Sequence, residues 1–154
     1  MDTTLSYIDS LTFFYKIIPS NINIVGDTVK EVLQHIERSY GNIIDDDILF
    51  ELKVVLNELI VNAIIHGNKA DVRKKIRIAS GLTKEKCAYI TIKDDGEGYD
   101  YGYILKKCNE PANMMCNNNI SESGRGILIV KNLCEQISFN KEGNEIMIIK
   151  KLTK

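Results

Sequence analysis

The stretch Leu56-Asn57-Glu58-Leu59-Ile60-Val61-Asn62-Ala63-Ile64-Ile65-His66-Gly67 constrains this chain more than any other. It sets a carboxylate, Glu58, and a carboxamide, Asn62, four residues apart in an apolar, helix-forming run, so both project from one helix face. Leu52, Leu56, Leu59 and Ala63 suit a helix packed on a core, and polar groups beside such a stripe are costly unless something meets them. A magnesium ion and the phosphates of a nucleotide would meet them. The plainer reading is two side chains on a wet helix face, and the pair alone does not separate the two.

At 154 residues the chain is expected to form one domain over 1–154, burying roughly two-thirds of its unfolded surface. A net charge of -1 gives no case for nucleic acid or an anionic membrane as a main partner. No apolar run approaches the roughly 20 residues of a membrane span. The start Met1-Asp2-Thr3-Thr4-Leu5 lacks the basic and apolar blocks of a secretory signal, so the expected location is cytoplasmic. Cys87, Cys108, Cys116 and Cys134 form no Cys-x-x-Cys pair, which disfavours zinc or a disulfide framework. Cys87 and Cys134 read as small core residues; Cys108 and Cys116 fall in a loop, with no role assigned.

Apolar and aromatic residues from Leu11 to Ile18, stopped by Pro19-Ser20, predict a buried strand. Val25, Val29, Val32, Leu33 and Ile36 predict a helix to Tyr40, closed by Gly41-Asn42. Asp45-Asp46-Asp47 supply an N-cap and first-turn acids for the next helix, to His66, with Gly67-Asn68 as its stop. Lys74 to Ala79 and Ala88 to Lys93 read as a hairpin around a connector with Gly81 and Lys84-Glu85-Lys86. Tyr99 to Ser123, with Pro111 and Asn117-Asn118-Asn119, reads as a long loop, which in a compact domain is usually functional or disordered. Gly126 to Leu133 reads as a helix. Ile137 to Phe139 and Ile146 to Ile149 form a last hairpin around Glu142-Gly143-Asn144. Residues Met1 to Ser10 have no reading. The expected fold is α+β, a two-layer α/β sandwich with a mixed, mostly antiparallel sheet and helices on one face.

Two further constellations carry chemistry. Asp94-Asp95-Gly96-Glu97-Gly98 follows a predicted strand; its glycines permit sharp turns and close ligand approach, and a carboxylate at a strand end can accept from an exocyclic amine such as adenine N6. The plain reading is a turn with solvated acids. Ser123-Gly124-Arg125-Gly126 precedes an apolar helix, where exposed N–H groups, the helix dipole and the guanidinium suit an anion. It is neither a P-loop nor a Rossmann fingerprint, and the bland alternative is a helix start with an exposed arginine.

Taken in order and spacing, these three segments resemble the histidine-kinase-like (GHKL, Bergerat-type) ATPase superfamily: an N box at Glu58 to Asn62, a G1 box at Asp94 to Gly98 and a G2 box at Gly124 to Gly126. Within it the chain is similar to the anti-sigma factor serine/threonine kinase family, in Asn62-Ala63-Ile64-Ile65-His66-Gly67, in Ser123-Gly124-Arg125-Gly126-Ile127 and in Gly143-Asn144-Glu145-Ile146 up to Lys150. The likeness spans about Leu11 to Lys150.

The resemblance implies ATP and Mg²⁺ as cofactors, with Asn62 as magnesium ligand, Glu58 as general base and Asp94 binding adenine. Gly96 and Gly98 would flank the hinge of an ATP lid formed by Tyr99 to Ser123, and Gly124, Arg125 and Gly126 would hold the phosphates. His66 matches the pattern either as a ligand contact or as a helix-end packing residue. Asn144 stands where many members carry an adenine-side threonine; its amide can also donate and accept. The implied partners are an anti-anti-sigma factor that receives phosphate, a sigma factor that is sequestered, and a second copy in a homodimer. A non-catalytic ATP-binding switch module is the alternative, although Glu58 would then serve no purpose. A sensor kinase fits poorly, because His35 and His66 are the only histidines and neither lies on a dimerisation hairpin.

Overall fold

The computed structural model describes residues 9–98, 100, 106 and 122–154. After a 3-10 turn at Ser10–Thr12, β1 (Phe14–Pro19) leads through a second 3-10 turn to α1 (Val25–Tyr40) and α2 (Asp46–Asn62). A π-helical turn, Ala63–Gly67, extends α2; β2 (Lys75–Leu82), β3 (Ala88–Lys93), α3 (Glu122–Leu133), β4 (Gln136–Phe139) and β5 (Glu145–Lys150) follow. The five strands form one sheet in the order β1-β2-β3-β5-β4, and every pairing among the described residues is antiparallel. The architecture is the expected α+β sandwich, with a sheet more uniform than the mixed one foreseen. No helix among the described residues is long and apolar enough to cross a membrane.

The core forms because the helix and strand periods deliver their apolar residues to one interface. Val25, Val29, Val32 and Ile36 of α1 and Leu52, Val55, Leu56, Leu59 and Ile60 of α2 are buried, the i, i+3/i+4 pattern of amphipathic helices. Alternate residues Ile76 and Ile78 of β2, Ile90 and Ile92 of β3 and Ile146 and Ile148 of β5 meet them. On α3, Ile127 and Val130 are buried, and that helix packs against α2. Lys150 closes the sheet end nearby, its Nζ donating to Glu51 Oε2 and to the Leu133 carbonyl, each at 2.6 Å.

Gly41 ends α1 as expected, left-handed at φ 70° with its N–H on the Glu37 carbonyl. Elsewhere the boundaries differ. β1 is an edge strand rather than a buried one: among the described residues it pairs only with β2, and Tyr15 and Ile17 are each 51% exposed. Asp45 occupies the N-cap of α2 but makes no side-chain capping bond. Gly81 lies within β2, opposite Tyr89, and the tight turn is instead Thr83–Cys87, where Thr83 Oγ1 accepts from Cys87 N–H at 3.1 Å. The helical run ends at Gly67 with Asn68 as its C-cap, as expected; the left-handed residues come after it, at Lys69 (φ 55°) and Ala70 (φ 57°). Cys87 and Cys134 are half-buried, and burial pushes the Cys134 thiol up to about 12, so it is unreactive at neutral pH. Most of the expected lid, Cys108 and Cys116 included, and most of Met1 to Ser10 lie outside the described residues.

Candidate functional site

Glu58 and Asn62 lie one turn apart on α2 and line one cavity of about 290 Å³ with Val61, Ile65, His66, Arg125, Gly126 and Ile129. Glu58 is half-buried and Asn62 is 8% exposed. The Asn62 Nδ2 is buried with no hydrogen-bond partner among the described residues. A buried amide without a partner costs about 1–3 kcal/mol, and the penalty is relieved only if something entering the cavity bonds to the group. Either end of a carboxamide can be turned toward that space, and its oxygen is the hard donor that magnesium accepts.

α3 begins four residues earlier than its apolar pattern suggests, at Glu122, so Gly124, Arg125 and Gly126 sit in its opening turns rather than before it. Gly124 and Arg125 lie in the opening turn of the helix, where the dipole favours an anion. Gly126 has a different use. A Cβ there would collide with Glu58 Oε2 and lie 3.4 Å from Asn62 Nδ2; the glycine lets α3 approach the polar face of α2. Arg125 is exposed at the cavity rim. The π turn carries His66, half-buried, into the lining of the same cavity; single π turns inside α-helices occur often at functional sites.

Asp94 lies just past β3 and is 3% exposed. Its Oδ1 accepts from Gly96 N–H at 2.8 Å, and its own N–H donates to the Asn144 carbonyl at 2.9 Å. Burial holds its carboxyl above the ordinary carboxylate range, with Asp95 adding in the same direction and the Gly96 N–H and Lys74 opposing. The room for this carboxylate is made by Gly67, where a Cβ would overlap Asp94 Oδ2. Gly96 in turn backs onto the Gly67 carbonyl, and Gly98 (φ 99°) passes against the Glu142 carbonyl in the β4–β5 turn. The segment foreseen as a turn with solvated acids is therefore divided. Asp94 points inward, while Asp95 is exposed, paired with Arg77 at 2.6 Å and held below the usual range first by the Lys75 N–H and then by Arg77.

The structure thus brings Glu58, Asn62, His66, Arg125 and Gly126 around one cavity and sets Asp94 and Gly96 against Gly67, the residue after His66, while Gly98 meets the Glu142 carbonyl instead. Asn144 enters this neighbourhood by its main chain; its Oδ1 accepts from Asn140 Nδ2 at 2.6 Å, within the hairpin turn. Two residues do more than their sequence reading as a helix stop suggests. Gly67 and Asn68 scan as punctuation after a helix, yet Gly67 supplies the space for Asp94 and Asn68 is wholly buried and bonded to Asp95 N–H at 2.8 Å. Neither periodicity nor spacing signals such use.

A three-helix layer on an antiparallel sheet, with a carboxylate and a carboxamide on one helix facing a glycine-bearing second helix, defines an ATP-binding domain of the histidine-kinase-like class. The family model for the histidine kinase-like ATPase domain matches residues 24–150. The chain belongs to that family, and within it to the group of the anti-sigma F factors. It is 31% identical to the anti-sigma F factor of Bacillus subtilis (strain 168) over 111 residues, covering 70% of this chain and 73% of that protein. The anti-sigma F factor of Shouchella clausii (strain KSM-K16) is 29% identical over 108 residues, 68% of this chain and 70% of that one. Among solved structures, a histidine kinase domain from the Erythrobacter litoralis EL346 blue-light activated histidine kinase aligns with a TM-score of 0.49 and 17% identity, over 83% of this chain and 61% of that one.

Proposed function

We propose that this protein binds Mg·ATP where α2, the end of β3 and the start of α3 meet, and transfers the γ-phosphoryl group to a serine or threonine hydroxyl of an anti-anti-sigma partner. In the same reading it is a cytoplasmic regulator that sequesters a sigma factor and works as a homodimer. The observation that carries the catalytic part is the pairing, in one cavity, of half-buried Glu58 with a buried Asn62 whose Nδ2 has no partner among the described residues.

The residues fit the two ligands by their chemistry. Asn62 would hold the magnesium, which takes few protein ligands and leaves the rest to water and phosphate oxygens; when bound, the ion supplies neutralising charge. Asp94 would accept from the adenine N6 amine, with Asn144 beside it, and Gly96 and Gly98 allow the backbone to run close to the base. Gly124 and Arg125 would hold phosphate oxygens at the opening turn of α3, where N–H groups and the dipole favour anions. His66 would contact the nucleotide from the π turn.

Phosphoryl transfer asks chiefly for positioning and charge stabilisation. Glu58 takes the proton of the attacking hydroxyl as the Oγ–P bond forms and the bond between the γ-phosphorus and the β–γ bridging oxygen breaks, releasing ADP. Gly126 matters to this step because it leaves the Glu58 carboxylate its place. Incubation with γ-labelled ATP and an anti-anti-sigma acceptor protein tests the reading. Label on an acceptor serine or threonine supports it; ATP binding without label leaves a switch module that binds nucleotide and does no chemistry.

A further inference from the structure

We infer that Asn68 is a positioning residue that sets the base preference of the nucleotide site, by fixing the main chain beside Asp94. The inference rests on the reading of Asp94 as acceptor for the adenine amine.

Asn68 is 0% exposed and its carboxamide is engaged at both ends. Nδ2 donates to Ser20 Oγ at 2.7 Å and to the Lys75 carbonyl at 3.0 Å, and Oδ1 accepts from Asp95 N–H at 2.8 Å. Ser20 completes the knot by donating to the Lys74 carbonyl at 2.9 Å. One side chain at the end of the helix that bears Glu58 and Asn62 therefore ties together the exit of β1, the entry of β2 and the peptide that follows Asp94. The peptide before Asp94 is held independently, through Asp94 N–H on the Asn144 carbonyl at 2.9 Å. With both flanking peptides pinned and Oδ1 taken by Gly96 N–H, the carboxylate has one orientation, with Oδ2 over Gly67.

The backbone around Asn68 is built to present it. Its N–H donates five residues back, to the Ala63 carbonyl at 2.9 Å, and the chain then passes through two left-handed non-glycine residues, Lys69 and Ala70. Such conformations persist where the surroundings over-determine them, and the three bonds of Asn68 do so. The residue type follows from the task. Only a carboxamide offers two donors and an acceptor on so short a stem; aspartate would keep the acceptor and lose the donors, and leucine would lose both. An exocyclic amine gains little from an acceptor held loosely, so freeing Asp94 removes the preference for adenine and leaves phosphate and magnesium contacts intact.

The test compares the affinity of the full chain for ATP with that for purine riboside triphosphate, which lacks only the 6-amino group. The parental protein prefers ATP by about 10- to 100-fold, the reach of a hydrogen bond to a charged acceptor, and Asp94→Ala abolishes the preference. Asn68→Leu and Asn68→Asp are expected to bring the ratio to within about 3-fold of unity while affinity for purine riboside triphosphate stays near the parental value. Ser20→Ala, which removes only one partner of Nδ2, lowers the ratio part of the way and carries the test should the Asn68 variants fail to fold. A parental protein without ATP preference, or an Asp94→Ala variant that retains it, would overturn the assignment of Asp94 on which the inference stands. A preference that Asp94→Ala abolishes but the Asn68 and Ser20 variants keep overturns the role of Asn68 alone. So does an equal loss of both nucleotides, which marks a merely structural residue.

Discussion

Gly126 and Glu58 share one volume: the space a side chain would fill at Gly126 is taken by the Glu58 carboxylate, and Asn62 Nδ2 lies 3.4 Å from the same point. Two segments more than sixty residues apart in the chain are thereby fitted to each other, one supplying a base and the other the absence of a side chain.

Gly126→Ala is consequently expected to act twice. The added methyl forces Glu58 or α3 aside, and overpacking of this kind costs about 1–3 kcal/mol. Phosphoryl transfer falls with it, because the base is displaced. Urea denaturation gives the first effect and label transfer the second; a variant with parental stability and rate would remove the packing argument.

Glu58→Gln and Asn62→Ala should separate chemistry from binding. The glutamine keeps the shape of the side chain and loses its basicity, so ATP affinity is largely spared while transfer drops by ~10²-fold or more. The alanine removes the only carboxamide in the cavity among the described residues, so nucleotide affinity weakens in the presence of magnesium and changes little in its absence. Parental transfer rates in both variants would contradict both assignments.

Acidification should reveal Asp94. Burial raises its pKa, so the folded protein holds a proton that the unfolded chain has released at the same pH. The stabilising contribution of the neutral form is complete below the ordinary value of 3.8 and is lost as pH rises through the raised folded value. Adenine recognition runs the other way, since the carboxylate is the better acceptor: ATP preference over purine riboside triphosphate fades on acidification, starting above the pH at which an ordinary aspartate titrates. Asp95 behaves oppositely. Its lowered pKa contributes stability above 3.8 that disappears as pH falls through the depressed value. A nucleotide preference that holds down to the ordinary carboxylate range would refute the placement of Asp94.

The core of α2 carries the domain. Leu56→Ala, at a wholly buried position one turn before Ile60, is expected to cost about 2–5 kcal/mol. Phe50→Ala, on the same helix but 67% exposed, should stay within about 0.5 kcal/mol of the parent. Equal losses at the two sites, measured by chemical denaturation, would mean that α2 is packed differently.

Much of this architecture is legible in the residues because period and position agree. Val25 to Ile36 announces a helix with one apolar face, Gly41 stops it in the left-handed conformation, and the alternation in β3 and β5 predicts strands with one face buried. Glu58 and Asn62 are legible as a pair because four residues on a helix return to the same side. What escapes the pattern is set by tertiary contact. The apolar run from Leu11 to Ile18 reads as buried, yet β1 is the edge strand among the described residues, and Tyr15 and Ile17 stand exposed on it. Gly81 scans as a turn although it is paired within β2. The π turn is a matter of displaced hydrogen bonding, invisible to periodicity, and Gly67 and Asn68, while still ending the helix, also serve as the wall of Asp94 and the anchor of the peptide after it. Asn144 scans as an adenine contact, but its side-chain oxygen is taken up by Asn140 in the turn, a local bond that no spacing rule reports.

The most direct measurement is a calorimetric titration of the protein with ATP, with and without magnesium. Saturable binding that strengthens with magnesium in the parent, and that loses this strengthening in Asn62→Ala, is the predicted result. Failure of the parent to saturate, or equal affinity with and without the ion, would contradict the claim that these separated segments close on one Mg·ATP.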